Sequence, residues 1–182
     1  MKTDESFKIC VSGAHETLGC GQASLDMAHE IGTEIAKHGH VLTSGAVTGF
    51  PMWAAKGARE NGGTTIGFSP AANAREHADV YKLPQGNLDL VVYTGFGYSG
   101  ADLMLMRSSD AVIFGCGRVG TIHEFSIAFQ EGKPIGILEG DWDTDELLRE
   151  IISKDTTRDH DLIVFDSDPK RLLEQLIKKI KK

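Results

Sequence analysis

The chain has 182 residues, of which 41% are hydrophobic and 25% are charged, a composition typical of one globular domain with a buried core. Its formal net charge of −7 argues against a nucleic-acid or membrane-surface partner, since both need basic patches. No apolar run approaches the ~20 residues of a membrane-spanning helix, and the polar, acidic segment Met1–Phe7 does not resemble a secretion signal. We therefore expect no membrane or nucleic-acid partner and a cytoplasmic protein.

Three cysteines, Cys10, Cys20 and Cys116, show no Cys-x-x-Cys spacing, and an odd number does not suggest a disulfide framework. This favours reduced thiols and a reducing compartment. Cys116 lies near a predicted helix N-terminus, where a thiolate would be stabilised, but no histidine base is evident beside it. A buried spacer is therefore preferred over a nucleophile for Cys116.

Short apolar strands alternate with helical spacing along the whole chain. In chain order we predict the strand Phe7–Ser12, helix Gln22–His38, strand His40–Ser44, helix Gly49–Glu60, strand Thr64–Phe68, a weak helix Asn73–Val80, strand Leu88–Tyr93, helix Gly100–Arg107, strand Asp110–Gly115, helix Gly120–Glu131, strand Ile135–Leu138, helix Thr144–Ser153, strand Leu162–Asp166 and helix Asp168–Lys182.

This alternation predicts an α/β fold, a Rossmann-like, doubly wound, mostly parallel sheet of about seven strands with helices on both faces. Residues 1–182 are expected to form one nucleotide-binding domain, with a flexible segment 1–6 and a C-terminal helix 168–182. The lysines at the end of that helix are interpreted as a solvated face rather than a binding tail, because cations suit a helix C-terminus.

Three strands end in glycine-containing turns that lead toward helices, and ligands of open parallel sheets bind at that edge. Free amides and the helix dipole make such turns anion sites, so a small phosphate ligand is compatible with the acidic chain. The turns are Ser12-Gly13-Ala14, Ser44–Gly49 and Gly115–Thr121. The predicted phosphate- or nucleotide-binding residues are Ser12, Gly13, Ser44, Gly45, Gly49, Gly117, Arg118, Val119, Gly120, Thr121 and Glu124.

The third turn is the most informative. Gly117 and Gly120 allow close backbone approach, and Thr121 either caps the helix or donates to a phosphate oxygen. Glu124 follows one turn into the helix and either faces the same mouth or only favours the helix N-terminus electrostatically. With three turns at one sheet edge, we prefer the functional interpretation.

Common nucleotide and metal motifs do not occur. Gly13 stands nearly alone after the first strand, the second strand ends without an acidic residue, and no Gly-x-x-x-x-Gly-Lys-Ser/Thr is present. His29-Glu30 and His123-Glu124 lack the second histidine of a His-Glu-x-x-His site. We predict neither a metal nor a cofactor.

At two of these loops the sequence resembles the LOG-type superfamily, often labelled "lysine decarboxylase-like". The superfamily includes cytokinin-activating phosphoribohydrolases and molybdenum-cofactor carrier proteins. The resemblance covers about residues 7–140 and lies in Ser44–Gly49, in Gly62–Gly67 and in Cys116–Glu124, which matches a Pro/Gly-Gly-Gly-x-Gly-Thr-x-x-Glu motif. In spacing and order it is closer to the carrier-like branch, and it implies a homodimer.

The resemblance implies that the loop amides hold a phosphate and that Glu124 orients ribose hydroxyls and stabilises an oxocarbenium-like charge in the hydrolases. The assisting arginine of those enzymes falls at Ala101 here, followed by Asp102. Arg118 occupies a normally glycine position, where it either replaces the missing cation or narrows the site.

Two functions remain open from the sequence. The preferred one is binding of a phosphorylated, nucleotide-like ligand without turnover. The alternative is a phosphoribohydrolase that cleaves the N-glycosidic bond of a nucleoside 5′-monophosphate, with Glu124 and Arg118 as catalytic candidates. The segment Thr94–Gly100 is either a flexible lid whose Phe96 and Tyr98 stack on a purine or an ordinary surface loop.

Overall fold

The computed structural model describes residues 5–15, 20–157 and 160–181. Within these ranges, seven strands and seven helices alternate. In chain order they are β1 (Lys8–Ser12), α1 (Gly21–Lys37), β2 (Val41–Gly45), α2 (Phe50–Glu60), β3 (Thr65–Ser69), α3 (Ala74–Asp79), β4 (Leu90–Tyr93), α4 (Gly97–Ser108), β5 (Ala111–Phe114), α5 (Val119–Gln130), β6 (Ile135–Leu138), α6 (Thr144–Lys154), β7 (Ile163–Asp166) and α7 (Pro169–Ile180). The predicted flexible segment 1–6 and the end of the predicted last helix lie partly outside the described residues.

All strand pairs are parallel, and the order across the sheet is β4-β3-β2-β1-β5-β6-β7. The chain moves outward from β1 to β4, returns to place β5 beside β1, and then moves outward to β7. Cys10 of β1 is paired with Val112 of β5 at this reversal. The doubly wound fold predicted from the sequence is confirmed, and its switch point lies between β1 and β5, where such sheets open a crevice.

The sheet is covered on both faces because side chains alternate along each strand. Ile9 and Val11 of β1 belong to the core that packs against α1, α2 and α7, whereas Cys10 between them belongs to the core with α4, α5 and α6. All three residues are fully buried. No helix in the described ranges is long and apolar enough to span a bilayer.

The segment predicted as a flexible lid, Thr94–Gly100, is largely helical. Helix α4 begins at Gly97, three residues before the predicted start. The Thr94 hydroxyl donates to the Ser69 carbonyl oxygen over 2.7 Å, and the Gly97 amide donates to the Pro70 carbonyl oxygen over 3.1 Å. These bonds join the turn to the loop after β3, and the loop is limited to Thr94–Phe96, shorter than predicted. A lid function of this segment stays a prediction.

The expectation of three free thiols is also wrong. Cys20 and Cys116 form a disulfide, with Cα atoms 5.8 Å apart across a sequence separation of 96 residues, and the free cysteine of the described part is the buried Cys10. The start of α1 and the loop after β5 meet at the same sheet edge, which the cysteine spacing alone does not reveal. Cys116 is thus neither a spacer nor a nucleophile, and the cysteine count no longer supports a reducing compartment.

Candidate functional site

A cavity of about 460 Å³ opens at the carboxyl edge of the sheet, at the switch point between β1 and β5. Its wall combines the ends of two strands, β1 and β2, and the loops after them with one turn of α4 and the first two turns of α5. The lining residues are Val11, Ser12, Gly13, Ala14, His15, Gly45, Val47, Pro51, Tyr98, Asp102, Arg118, Val119, Gly120, Thr121 and Glu124. The structure therefore brings most of the predicted binding residues together around one space.

The floor beside the first turn is shaped by Phe50, whose side chain is fully buried. A Cβ atom at Gly13 would lie 2.7 Å from the Phe50 side chain, and one at Gly115 would lie 2.1 Å from its ring. Real Cβ atoms do not approach so closely, so both glycines are required by packing. The turns after β1 and β5 can therefore lie side by side over one aromatic ring.

The second turn mainly supports the first. The Phe50 amide donates to the Ala14 carbonyl oxygen over 2.9 Å, and the Thr48 hydroxyl donates to the His15 carbonyl oxygen over 2.7 Å. Gly49 has a φ of 72°, and a Cβ there would lie 2.2 Å from the Ala14 carbonyl oxygen. Gly49 thus braces the first loop and is not part of the cavity wall.

Ser44, another predicted ligand, is buried at the end of β2, and its hydroxyl has no hydrogen-bond partner among the described residues. The next residue, Gly45, does line the cavity. Successive residues of a strand point to opposite faces of the sheet. Gly45 therefore lies in the cavity wall, whereas the side chain of Ser44 points into the protein interior.

The third turn leads into the N-terminus of α5. Arg118 is the residue before the helix, with extended backbone angles (φ −139°, ψ −157°) that any side chain adopts without strain. The hydroxyl of Thr144 accepts from the Gly117 amide and donates to the Gly117 carbonyl oxygen, both over 2.9 Å. A Cβ at Gly117 would collide with the Thr121 side chain, which explains the glycine. Gly117 is thus structural and lies outside the cavity wall.

The first turn of a helix leaves its amides without intrahelical acceptors, and here these amides belong to Val119, Gly120 and Thr121, which all line the cavity. Arg118 is exposed, and in the described ranges no carboxylate forms an ion pair with it. The N-terminus of α5 therefore offers a cavity with unpaired amides, a positive dipole end and a free guanidinium group.

Glu124 is buried in the cavity wall, one turn further along α5. The Ser12 hydroxyl donates a short hydrogen bond to Glu124 Oε2, which links the predicted residues of the first and third turns. Burial raises the pKa of Glu124 to about 8; the negative charge of Asp102 adds to this, and the Ser12 bond opposes it. At neutral pH Glu124 is therefore mostly protonated and uncharged.

Asp102 and His123 form a pair that was not singled out from the sequence as part of the site. Asp102 lines the cavity, and its Oδ2 accepts a hydrogen bond from His123 Nδ1 over 2.9 Å. Burial raises the pKa of Asp102, while His123 works against that shift. Asp102 lies four residues before the buried Met106 and so on the same face of α4. This spacing was the signal in the sequence that the Asp102 side chain faces the sheet.

Ala101, the position of the hydrolase arginine in the resemblance, is 4% exposed and does not line the cavity. From α4 the wall receives Tyr98 and Asp102, four residues apart. Tyr98 also packs edge-on against Tyr81, with ring centroids 5.5 Å apart. Phe96, the second aromatic residue predicted to stack on a base, is 66% exposed and is not part of the wall.

Metal ligands do not converge anywhere in residues 5–15, 20–157 and 160–181: no group of three or more histidine, cysteine, aspartate or glutamate residues is arranged to hold an ion.

The family model that matches this chain is that of the SLOG cluster4 family, over residues 6–173. The protein belongs to the SLOG cluster4 family. An uncharacterized protein of Archaeoglobus fulgidus is 33% identical over 133 residues, which are 73% of this chain and 80% of that protein. Residues 6–173, which the family model matches, include the cavity and all seven strands.

Two solved structures extend this comparison. The protein TM1055 superposes with a TM-score of 0.80 at 23% identity, covering 95% of this chain and 99% of the other, and it shows the fold alone. The molybdenum cofactor carrier protein of Chlamydomonas reinhardtii superposes with a TM-score of 0.77 at 28% identity, covering 98% of this chain and 100% of the carrier. The resemblance to carrier-like relatives drawn from the motifs is thereby confirmed.

Proposed function

We propose that this protein binds a nucleotide-like phosphate monoester in the switch-point cavity and holds it without turnover. The observation that carries the proposal is that the first-turn amides of α5 and the unpaired Arg118 face the same cavity as the buried Glu124. These groups suit the two ends of such a ligand. The amides and the guanidinium group fit a phosphate, and the carboxyl groups fit hydroxyl or amino groups.

The protonation of Glu124 supports anion binding. A carboxylate buried near the phosphate would repel it, whereas a neutral carboxyl group does not. Because the pKa of Glu124 is about 8, the repulsion is absent at neutral pH and appears only in alkaline solution. We expect phosphate affinity to fall as the pH rises through this value.

Binding without turnover is supported by the composition of α4 and by the relatives. No cationic side chain of α4 lines the cavity, and Ala101 is buried where the resemblance places the assisting arginine of the hydrolases. The solved relative described above is named a molybdenum cofactor carrier protein. A carrier needs a site that encloses a phosphorylated ligand without breaking it.

A second function, N-glycosidic hydrolysis of a nucleoside 5′-monophosphate, is favoured by one specific observation: two carboxyl groups, those of Asp102 and Glu124, line the same cavity in different surroundings. Burial raises the pKa of Glu124 to about 8, whereas at Asp102 the bond to His123 opposes the rise that burial causes. In such a reaction water would add to C1′ as the C1′–N bond breaks. The neutral Glu124 would give its proton to the departing base and the Asp102 carboxylate would take the proton of the water. The products are the free base and ribose 5-phosphate.

The test separates these functions with one set of incubations. The purified protein is titrated with nucleoside 5′-monophosphates by calorimetry, and the same mixtures are assayed for free base. We expect saturable binding, competed by inorganic phosphate, with no base release. Base release that disappears in Glu124→Gln would replace the carrier function by the hydrolase, and absence of any phosphate binding would contradict both.

A further inference from the structure

Asp102 is the ionisable residue that α4 contributes to the cavity wall besides Tyr98. It comes from a different helix than the anion-binding groups, and its side chain is 22% exposed. A carboxylate placed there does not help to hold a phosphate. Its position therefore calls for a different interaction with the ligand.

The Asp102 carboxylate is fixed in place by its neighbour. His123 Nδ1 donates to Oδ2 over 2.9 Å, and within the described ranges no donor bonds to Oδ1. The ring of His123 is 43% exposed and does not line the cavity, so it supports Asp102 from behind. One carboxylate oxygen is thus oriented and the other remains available to whatever fills the cavity.

The two carboxyl groups of the cavity wall, those of Asp102 and Glu124, have different surroundings. Glu124 is 9% exposed, burial raises its pKa to about 8 so that it keeps a proton at neutral pH, and the charge of Asp102 adds to that shift. Burial raises the pKa of Asp102, and the hydrogen bond and charge of His123 oppose that shift and favour the charged form. Asp102 is thus the carboxyl group of the wall that has a histidine partner and solvent exposure, which suits it to accept a hydrogen bond from a ligand.

We propose that Asp102, positioned by His123, determines ligand specificity by accepting a hydrogen bond from a hydroxyl or amino group of the phosphorylated ligand. This inference rests on the proposed phosphate-binding function and adds a second recognition point to it. The anion subsite at α5 accepts any phosphate monoester. Asp102 selects those whose sugar or base presents a donor, and it repels ligands with a second anionic group at that end.

Ligands that differ by one donor group test this proposal. Dissociation constants are measured for guanosine 5′-monophosphate, its 2′-deoxy analogue (which lacks one hydroxyl), inosine 5′-monophosphate (which lacks the amino group) and inorganic phosphate. A hydrogen bond to a charged group corresponds to a loss of about tenfold to a hundredfold when it is deleted. We expect the wild-type protein to discriminate against one of the two analogues by such a factor.

The variant Asp102→Ala is expected to abolish that discrimination while it still binds inorganic phosphate. The matched control is Leu103→Ala, because Leu103 is the next residue of α4, is exposed and does not line the cavity. If Asp102→Ala removes discrimination against the 2′-deoxy analogue, the partner of Asp102 is the sugar hydroxyl. If it removes discrimination against inosine 5′-monophosphate, the partner is the amino group of the base.

His123 is tested as a positioning residue by rescue. An asparagine amide lies near the place of a histidine Nδ1, so His123→Asn should restore most of the discrimination that His123→Leu removes. A purely structural role would change the melting temperature of both variants and leave the ratio of dissociation constants unchanged. That outcome would remove His123 from the proposal.

Failure of this inference and failure of the proposed function look different. If the wild-type protein binds the nucleotides and Asp102→Ala leaves the discrimination intact, or weakens all ligands and inorganic phosphate equally, Asp102 is not a specificity residue although the anion site stands. If the wild type binds no phosphate at all, the proposed function fails and this inference fails with it.

Discussion

The two sides of the switch-point cavity are built on different principles. On the side of β1 and β2 the loops are held by packing and backbone hydrogen bonds, through Phe50, Gly13 and Gly49, and they add few charges. On the side of α4 and α5 the wall consists of ionisable side chains and free amides. One side therefore fixes the shape of the cavity and the other supplies its chemistry. Substitutions on the first side should alter stability, and those on the second should alter binding or pH dependence.

The substitution with the largest expected effect on stability is Gly49→Ala, on the side of β1 and β2. The new methyl group would meet the Ala14 carbonyl oxygen, and the backbone at φ 72° is unfavourable for alanine. We expect a loss of about 2–5 kcal/mol in the free energy of unfolding, measured by urea denaturation. The matched control is Gly120→Ala on the opposite side, where a Cβ meets nothing within 4 Å. Gly120→Ala should keep wild-type stability, and an equal loss in both variants would contradict the division into two sides.

The disulfide Cys20–Cys116 joins the start of α1 to the turn before α5, and so ties the framework to the charged wall. A disulfide that closes a loop of this length stabilises the fold by up to about 5 kcal/mol, because it lowers the entropy of the unfolded chain. We expect a reductant to lower the urea midpoint by an amount corresponding to about 2–4 kcal/mol. The double variant Cys20→Ser/Cys116→Ser should start at that lower midpoint and not respond to reductant. An unchanged midpoint on reduction of the wild type would show that the bridge contributes nothing to stability.

Glu124 gives the chemical side a characteristic dependence on pH. Its pKa in the folded protein is about 8 against an ordinary value of 4.5, so the unfolded state binds fewer protons between these values. The stability from this group is present in full below about pH 4.5 and is lost as the pH rises through 8. We expect Glu124→Gln to remove this fall. The difference in the free energy of unfolding between Glu124→Gln and the wild type should shift in favour of the variant by a few kcal/mol from pH 5 to pH 9.

Comparison of the two unfolding curves at several pH values checks the Glu124 prediction. Asp166 serves as a reference carboxyl group. Arg171 holds the pKa of Asp166 low, at about 2, so Asp166 does not change its protonation between pH 5 and pH 9. A fall in stability between pH 5 and pH 9 that is identical in wild type and Glu124→Gln would mean that Glu124 is ionised throughout.

The smallest effect on stability is expected at Arg118, which is exposed and forms no ion pair within the described ranges. Arg118→Ala should weaken inorganic phosphate binding by about tenfold while the free energy of unfolding changes by less than about 0.5 kcal/mol. Arg171→Ala, far along the chain on α7 and paired with Asp166, serves as a charge-matched control for binding. Equal phosphate affinity in wild type and Arg118→Ala would exclude Arg118 from the anion site.

The strand and helix order was predictable because apolar runs and helical periodicity are local signals. The glycine turns and the motif ending in Glu124 likewise predicted most of the residues that line the cavity. The disulfide was not predictable, since Cys20 and Cys116 are brought together only by the parallel topology. Asp102 was missed because counting back from β5 directed attention to Ala101, whereas the cavity wall takes the next residue of α4.

The measurement that tests the central claim most directly is an amide NMR titration of the isotopically labelled protein with ribose 5-phosphate. A phosphate site at the N-terminus of α5 predicts saturable shifts that are largest at the amides of Val119, Gly120 and Thr121, with the Ser12 and Gly13 amides next. In Arg118→Ala the same shifts should saturate with a dissociation constant about tenfold higher. Saturable shifts centred on another surface, or no shifts at millimolar ligand, would contradict a phosphate site at the N-terminus of α5.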